Sequence, residues 1–281
     1  MRYIKYLNQS SGLSFLEKET LKYTPLNDFN DPFEGNFLLC AEKQSIENLS
    51  YPIKINIDVD NRAVVFKKYQ LTTDSLNDET IYFDDEAIFD SLCGKEGIAC
   101  LCLSESKFGI PDNILMWSHY SRDHKGIAIA FDPNHPYFKD IDHVHYGKEK
   151  LILDHKIILD HAESIPINTF FAKDECWKYE NEVRLSKWQK DLIEYKKKED
   201  DPIILLDSIP LDAVKEIFIG CKASPEMAQK VYDFCRNNSI EYFHLKKNLT
   251  SYKLSSDFSK QETDHLSPQE TFDLYIRHLT L

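Results

Sequence analysis

Short runs in which apolar residues either alternate with polar ones or stand together recur along the chain, each bounded by turn residues. "MRYIKYL" (1–7), "LKYTP" (21–25), "GIACLCLS" (97–104), "KGIAIAFD" (125–132), "DHVHYG" (142–147), "PIILLDS" (202–208), "VKEIFIG" (214–220) and "IEYFHLKKN" (240–248) read as strands. Helical spacing is rarer. "SPEMAQKVYDFCRNN" (224–238) sets Met227, Val231, Phe234 and Cys235 at i, i+4, i+7 and i+8, with Pro225 in the first turn. "SSGLSFLEKET" (10–20) predicts a helix capped by Ser, and "DNILMWSHY" (112–120) a short one capped by Asp112 or Asn113. Pro25 stops the second strand, and "KDLIEYKKKEDD" (190–201) is a charge run suited to a solvated hairpin loop.

Strands outnumber helices and no βαβ alternation persists. The pattern predicts an α+β fold: a mixed, mostly antiparallel central sheet flanked by helices. One such domain is expected over residues 1–250, with a helical insertion at about 41–95 (helices near 74–80 and 84–93). Residues 251–281 form a peripheral C-terminal segment. With eight glycines, no GxGxxG and no Walker loop, a Rossmann or P-loop site is excluded.

Composition changes the picture in three respects. At 281 residues, 42% hydrophobic and 12% aromatic, the chain is a globular one able to build a real core. A net charge of −13 argues against broad adhesion to nucleic acid or anionic membrane while leaving room for a local basic groove. No apolar run reaches the roughly 20 residues of a membrane span and the N-terminus lacks a secretory h-region, so the expected location is the cytoplasm. Seven cysteines without paired spacing predict reduced, mostly buried thiols, Cys100 and Cys102 sharing one strand face.

Three stretches concentrate polar side chains. "FNDPFEG" (29–35) is turn chemistry that offers Asn30, Asp31 and Glu34 as a pocket rim. "DNILMWSHYSRDHKGIAIAFD" (112–132) places Ser118, His119, Tyr120, Arg122, Asp123 and His124 at a helix-to-strand junction. His119 and His124 are five apart and HExxH is absent, so no metal is expected. In "KDECWKYENEVRLSKW" (173–188) a strand over "YENEVRLS" would put Glu180, Glu182 and Arg184 on one face, behind the stacking surfaces of Trp177 and Tyr179. The bland reading of that face is a salt-bridge ladder. The functional reading is a pair of carboxylates that divide labour beside a guanidinium able to hold a phosphate.

"FNDPFE", "NILMWSHYSRDHKGIAIAFD" and "WKYENEVR", in that order, resemble the bacterial proteins catalogued as domain of unknown function 2971, a resemblance running from residue 3 to about residue 245. The order of elements is more distantly similar to the ADP-ribosyltransferase superfamily. Tyr23-Thr24 stands at the place of its Tyr-Ser/Thr pair and Glu180-x-Glu182 at the place of its ExE. The early NAD-gripping Arg or His departs from the pattern, since only Lys5 or Tyr6 stands there.

That second resemblance implies an ADP-ribosyltransferase-like core and NAD as substrate, with no metal. Glu182 would be catalytic and Glu180 would orient the acceptor. Tyr23 and Thr24 would lie on the nicotinamide side, with Lys5, Tyr6, Asn30, Asp31, Ser118, His119, Tyr120 and Arg184 around the ligand. It also implies an unknown macromolecular acceptor, protein or nucleic acid, and the role of a bacterial toxin or phage-defence effector with a partner or antitoxin protein. The alternatives are a nuclease effector using His119, His124 and the acidic residues, or a non-catalytic module that binds a nucleotide or protein.

Overall fold

In a computed structural model of the chain the described residues are 1–31, 33, 37–42, 55–58, 63–66, 80–84, 97–107, 109, 111–149, 151–154, 164–196, 198, 201–256 and 270. Eleven strands form one sheet: β1 (Arg2–Leu7), β2 (Thr20–Pro25), β3 (Ile98–Ser106), β4 (Ile127–Phe131), β5 (Ile141–His143), β6 (Glu182–Trp188), β7 (Ile193–Tyr195), β8 (Ile204–Ser208), β9 (Val214–Ile219), β10 (Glu241–Lys247) and β11 (Leu254–Ser256). Their order is β7-β8-β2-β3-β1-β4-β9-β10-β11, with β6 on β3 and β5 on β6. Pairing is antiparallel throughout except between β9 and β10, so the sheet is mixed and mostly antiparallel, as an α+β fold requires.

The register of β3 sets up everything that follows. Along one edge β6 pairs with it from Ile98 to Ser104. Along the other edge β2 holds only Ala99 and Cys100, while β1 holds Ser104 to Ser106. The two strands therefore part at Leu101–Leu103, and the sheet forks there. Cross-strand partners share a face. Thr24, Cys100, Cys102, Ser104, Ile4, Glu182 and Arg184 thus lie on one side, and Leu101, Leu103, Val183 and Leu185 on the other.

The apolar side is the main core. Tyr3, Leu7, Ile127, Ile129, Phe131, Val183 and Ile217 are buried there under two helices, α1 (Gln9–Lys18) and the helix Pro225–Asn238. α1 is capped by Asn8, whose side chain accepts from Ser11 N at 3.0 Å, rather than by one of the serines that follow it. It crosses so close to the C-terminal helix that a Cβ on Gly12 would stand 2.7 Å from Met227 Cε. In that second helix Ser224 is the N-cap, and Met227, Val231, Phe234 and Cys235 are all buried, the stripe the sequence predicts.

On the opposite face a short helix, Ile114–Tyr120, lies over β1 and β4. Asn113 caps it, accepting from Met116 N at 3.3 Å. Ala128 and Ala130 have small side chains, which leaves room for the fully buried Trp117, and Tyr6 meets the indole edge-on at 5.3 Å. Trp117 Nε1 donates to Pro111 O at 2.6 Å, so its polar end is also satisfied.

Several expectations change. The strand expected over "YENEVRLS" begins only at Glu182: Glu175–Glu180 form a 3-10 turn closed by Asn181 in the left-handed region, φ 43°. In the stretch expected as a helical insertion, the described residues are strands. Phe37–Glu42 pairs with Thr80–Asp84 and with Leu151–Asp154, and Ile55–Asp58 with Ala63–Phe66. Apart from Thr80–Asp84, the residues on which helices were expected (74–79 and 85–93) lie outside the described residues, as does most of 257–281. Of the described cysteines, all free, Cys100 and Cys235 are buried, but Cys176 is exposed.

Met227→Ala tests the core. Removing this fully buried side chain from between the two helices should lower unfolding free energy by about 2–5 kcal/mol with an unchanged urea m-value. A loss within experimental error of zero would mean that the helices do not pack as described.

Candidate functional site

Where β1 and β2 part, the backbone of β3 meets a side chain instead of a strand. Lys5 Nζ reaches in and donates to Cys102 O at 2.9 Å. The gap opens into a cleft of about 280 Å³. Lys5, Lys22, Thr24, Cys102 and Ser104 come from the sheet, Phe29 and Asn30 from the turn after β2, and Met116 and Tyr120 from the short helix. Lys173, Glu180 and Glu182 form its charged wall.

The 3-10 turn is what brings the two glutamates together. Asn181 tolerates the left-handed backbone at low cost. Its side chain donates to Glu105 O at 2.6 Å, while Glu105 N donates back to Asn181 O at 2.8 Å. Ser104 Oγ holds the Glu180 carbonyl. With the reversal clamped to the end of β3, Lys173 Nζ lies 2.8 Å from Glu180 Oε2 and 2.6 Å from Glu182 Oε2. Arg184 binds Glu182 in a two-pronged pair, Nε to Oε1 at 2.8 Å and Nη2 to Oε2 at 3.1 Å. Its guanidinium is packed by the rings of Phe29 at 4.5 Å and Phe171 at 5.2 Å. The Tyr120 hydroxyl donates to Glu180 Oε1, and Tyr146 OH accepts from Glu182 N at 2.8 Å.

All four charged groups are buried, Arg184 completely. Burial pushes the Glu182 carboxyl upward, and Lys173 opposes it. Burial pulls Lys173 downward, but the charges of Glu182 and Glu180 outweigh that and hold its pKa above the usual lysine value. Burial alone depresses Arg184, to about 9, with Asp31 acting against it. Lys5 is lowered by burial despite Cys102 and Glu182 nearby, and the Tyr120 phenol is raised by burial and then by its bond to Glu180. The cleft thus presents two carboxyl groups held in place by Lys173 and Arg184, hydroxyls of Thr24 and Tyr120, and the amino groups of Lys5 and Lys22. Such a wall can order sugar hydroxyls and offset charge of either sign.

Of the residues singled out in the sequence, Lys5, Tyr6, Thr24, Asn30, Tyr120, Glu180 and Glu182 line this cleft. Arg184 and the buried Asp31 stand behind it. Tyr23 lies on the other face of the sheet, in the main core, its hydroxyl 2.9 Å from that of Tyr137. Neither Ser118 nor His119 lines the cleft; His119 is exposed and bonds Tyr179 OH at 3.0 Å. Trp177 and Tyr179 are likewise outside its lining, and Glu34 lies outside the described residues. No group of three or more His, Cys, Asp or Glu placed to hold a metal ion occurs among the described residues. Sequence reasoning missed Lys173, Tyr146, Lys22 and Ser104. Lys22 and Ser104 were within reach, because they alternate in phase with Thr24 and Cys102.

Lys173→Met should leave Glu180 and Glu182 buried without their shared cation, at a cost of roughly 3–5 kcal/mol at pH 7. Losing the cation removes what opposes the burial-raised pKa of Glu182, and a raised carboxyl contributes stability that grows as pH falls through it. The deficit against wild type should therefore shrink between pH 7 and pH 5 in urea titrations. An equal deficit at both pH values would show that the ammonium is not compensating these carboxylates.

No curated protein and no solved structure matches the chain, and no comparison bears on the ADP-ribosyltransferase resemblance. No helix among the described residues is long and apolar enough to cross a membrane. The model of one family, described as "Protein of unknown function (DUF2971)", matches residues 116–185. That stretch runs from the short helix to β6 and holds Tyr120, Lys173, Glu180, Glu182 and Arg184. Over these residues, which hold the charged wall, the chain is similar to the DUF2971 family.

Proposed function

We propose that the fork cleft takes a nucleotide of the NAD type and that the chain is an ADP-ribosyltransferase-like enzyme. The observation that carries this reading is the convergence of Glu180 and Glu182 on Lys173 in the wall of a cleft also lined by Thr24 and Tyr120. A volume of about 280 Å³ is at the low end for ligand pockets and suits one ring with its sugar, the rest of a dinucleotide lying across the mouth. Lys5 and Lys22, on the strand pair that forks, supply positive charge for a diphosphate.

In this reading the bond between the sugar C1′ and nicotinamide breaks, and the electron pair leaves with nicotinamide. Positive charge grows on the sugar, and the Glu182 carboxylate, fixed by Arg184 and Lys173, stabilises it through the 2′-hydroxyl. The acceptor, oriented by Glu180, forms the new bond to C1′ and loses its proton. The acceptor is a protein or nucleic acid, and such an activity suits a bacterial toxin or phage-defence effector.

A specific feature favours a second reading, a nucleotide-binding module without turnover. Every carboxylate oxygen of the pair already accepts from Tyr120, Lys173 or Arg184. The nuclease alternative has less support, since neither His119 nor His124 is part of the cleft lining.

Incubation with NAD labelled in its adenosine half, together with bacterial lysate, separates these readings. Wild type should release nicotinamide and label a macromolecular fraction. Glu182→Gln should lower release by about 10²-fold or more per folded molecule. Its melting temperature should fall too, because Arg184 loses half of a charged pair. Nucleotide binding without release in wild type would establish the second reading, and unchanged release in Glu182→Gln would remove that residue from the chemistry.

A further inference from the structure

The short helix Ile114–Tyr120 is a wall of two cavities. Met116 and Tyr120 face the fork cleft, whereas Ile114 belongs to a second cavity of about 630 Å³. Its other walls are His124, Cys221, Lys222 and the hairpin from Lys247 to Leu254. In a chain of net charge −13, three lysines (Lys222, Lys247 and Lys253) and a histidine line this cavity, and its described lining contains no carboxylate. The three lysines are exposed, and no carboxylate neutralises them among the described residues.

The cationic wall is built rather than incidental. Lys222 N donates to His124 O at 3.0 Å, which ties the two segments together. Arg122, Asp123 and His124 all take left-handed backbone (φ 50°, 60° and 66°), folding the chain back so that the His124 ring stacks on Trp117 at 6.1 Å. The hairpin tip is held by Asn248, whose Oδ1 accepts from Thr250 N at 2.9 Å and Ser251 N at 3.1 Å. His124 Nδ1 is shielded from solvent and has no hydrogen-bond partner among the described residues, a state that calls for a reason in a folded protein. Burial first, and then the Lys222 charge, lower the His124 pKa; Lys222 and Lys247 also both act on Cys221. The charges therefore share one small region. Tyr252 stands fully exposed beside them, a free aromatic face.

We infer that this second cavity is a binding site for a phosphorylated small molecule of the nucleotide class. Lys222, Lys247 and Lys253 would hold the phosphates, and Tyr252 would cover the base. The volume lies within the ordinary range for small-molecule sites. The inference does not depend on NAD chemistry at the fork, because the lysines, histidine and tyrosine of this site are absent from that cleft.

Calorimetric titration of the full chain with ADP, inorganic pyrophosphate and adenosine tests it. ADP and pyrophosphate should bind and adenosine should bind far more weakly. Lys222→Gln combined with Lys247→Gln should weaken ADP by at least about tenfold, the scale of lost charged hydrogen bonds, and exposed lysines should not be needed for folding. Lys22→Gln, at the mouth of the fork cleft, should weaken ADP less than the double variant does, and Tyr252→Ala should weaken ADP but not pyrophosphate. No heat from ADP or pyrophosphate at millimolar concentration would overturn the proposal. So would adenosine binding as well as ADP, or a loss on Lys22→Gln that equals or exceeds that of the double variant.

Discussion

One ammonium group placed between two buried carboxylates organises this protein. Lys173 sits within 2.8 Å of both Glu180 and Glu182, and all three side chains are removed from water. Taking an ion out of water costs several kcal/mol even after relaxation, so none of the three is tolerable by itself. Each is tolerable because the others are fixed. Arg184 adds a second cation on Glu182, Tyr120 adds a donor to Glu180, and the rings of Phe29 and Phe171 pack on the guanidinium. Replacing the set by apolar residues of similar volume would be at least as stable by the same accounting, which makes stability alone a poor reason for such a cluster.

The sheet places this cluster where it can meet a ligand. A strand that paired along its full edge would have covered Cys102 with another backbone. Because β1 and β2 divide that edge, the Cys102 carbonyl turns to Lys5, and the opening lies directly beside the Glu182 face of β6. The short helix roofs the opening with Tyr120 and Met116, and its burial of Trp117 over Ala128 and Ala130 anchors the roof to the core. The same helix borders the lysine-lined cavity beyond it, so both openings rest on one rigid element.

How much of this was legible in the sequence differs from residue to residue. Period-two alternation correctly put Glu182 and Arg184 on one face, because β6 is paired on both edges and cannot slip. It failed at Glu180, where a single left-handed Asn181 ends the strand, yet the carboxylate still arrives at the site by way of the turn. Lys173 carried no signal. Its partners lie across a chain reversal, and no spacing rule connects a residue to what a reversal brings near it. Tyr23 was assigned to the ligand side with Thr24, although adjacent strand residues point to opposite faces; only Thr24 faces the cleft. The helix Pro225–Asn238 was readable, since its proline and its apolar stripe both agree.

The most direct measurement follows the protonation of Lys173 itself. In protein labelled at lysine Nζ, the Lys173 resonance can be identified by its loss in Lys173→Met and followed by NMR as pH rises. With Glu182 and Glu180 holding its pKa above the usual lysine value of about 10.4, it should remain an ammonium after the exposed lysines have titrated, for as long as the protein stays folded. A Lys173 that loses its proton with the exposed lysines, or before them, would contradict the claim that one shared cation holds the two glutamates together.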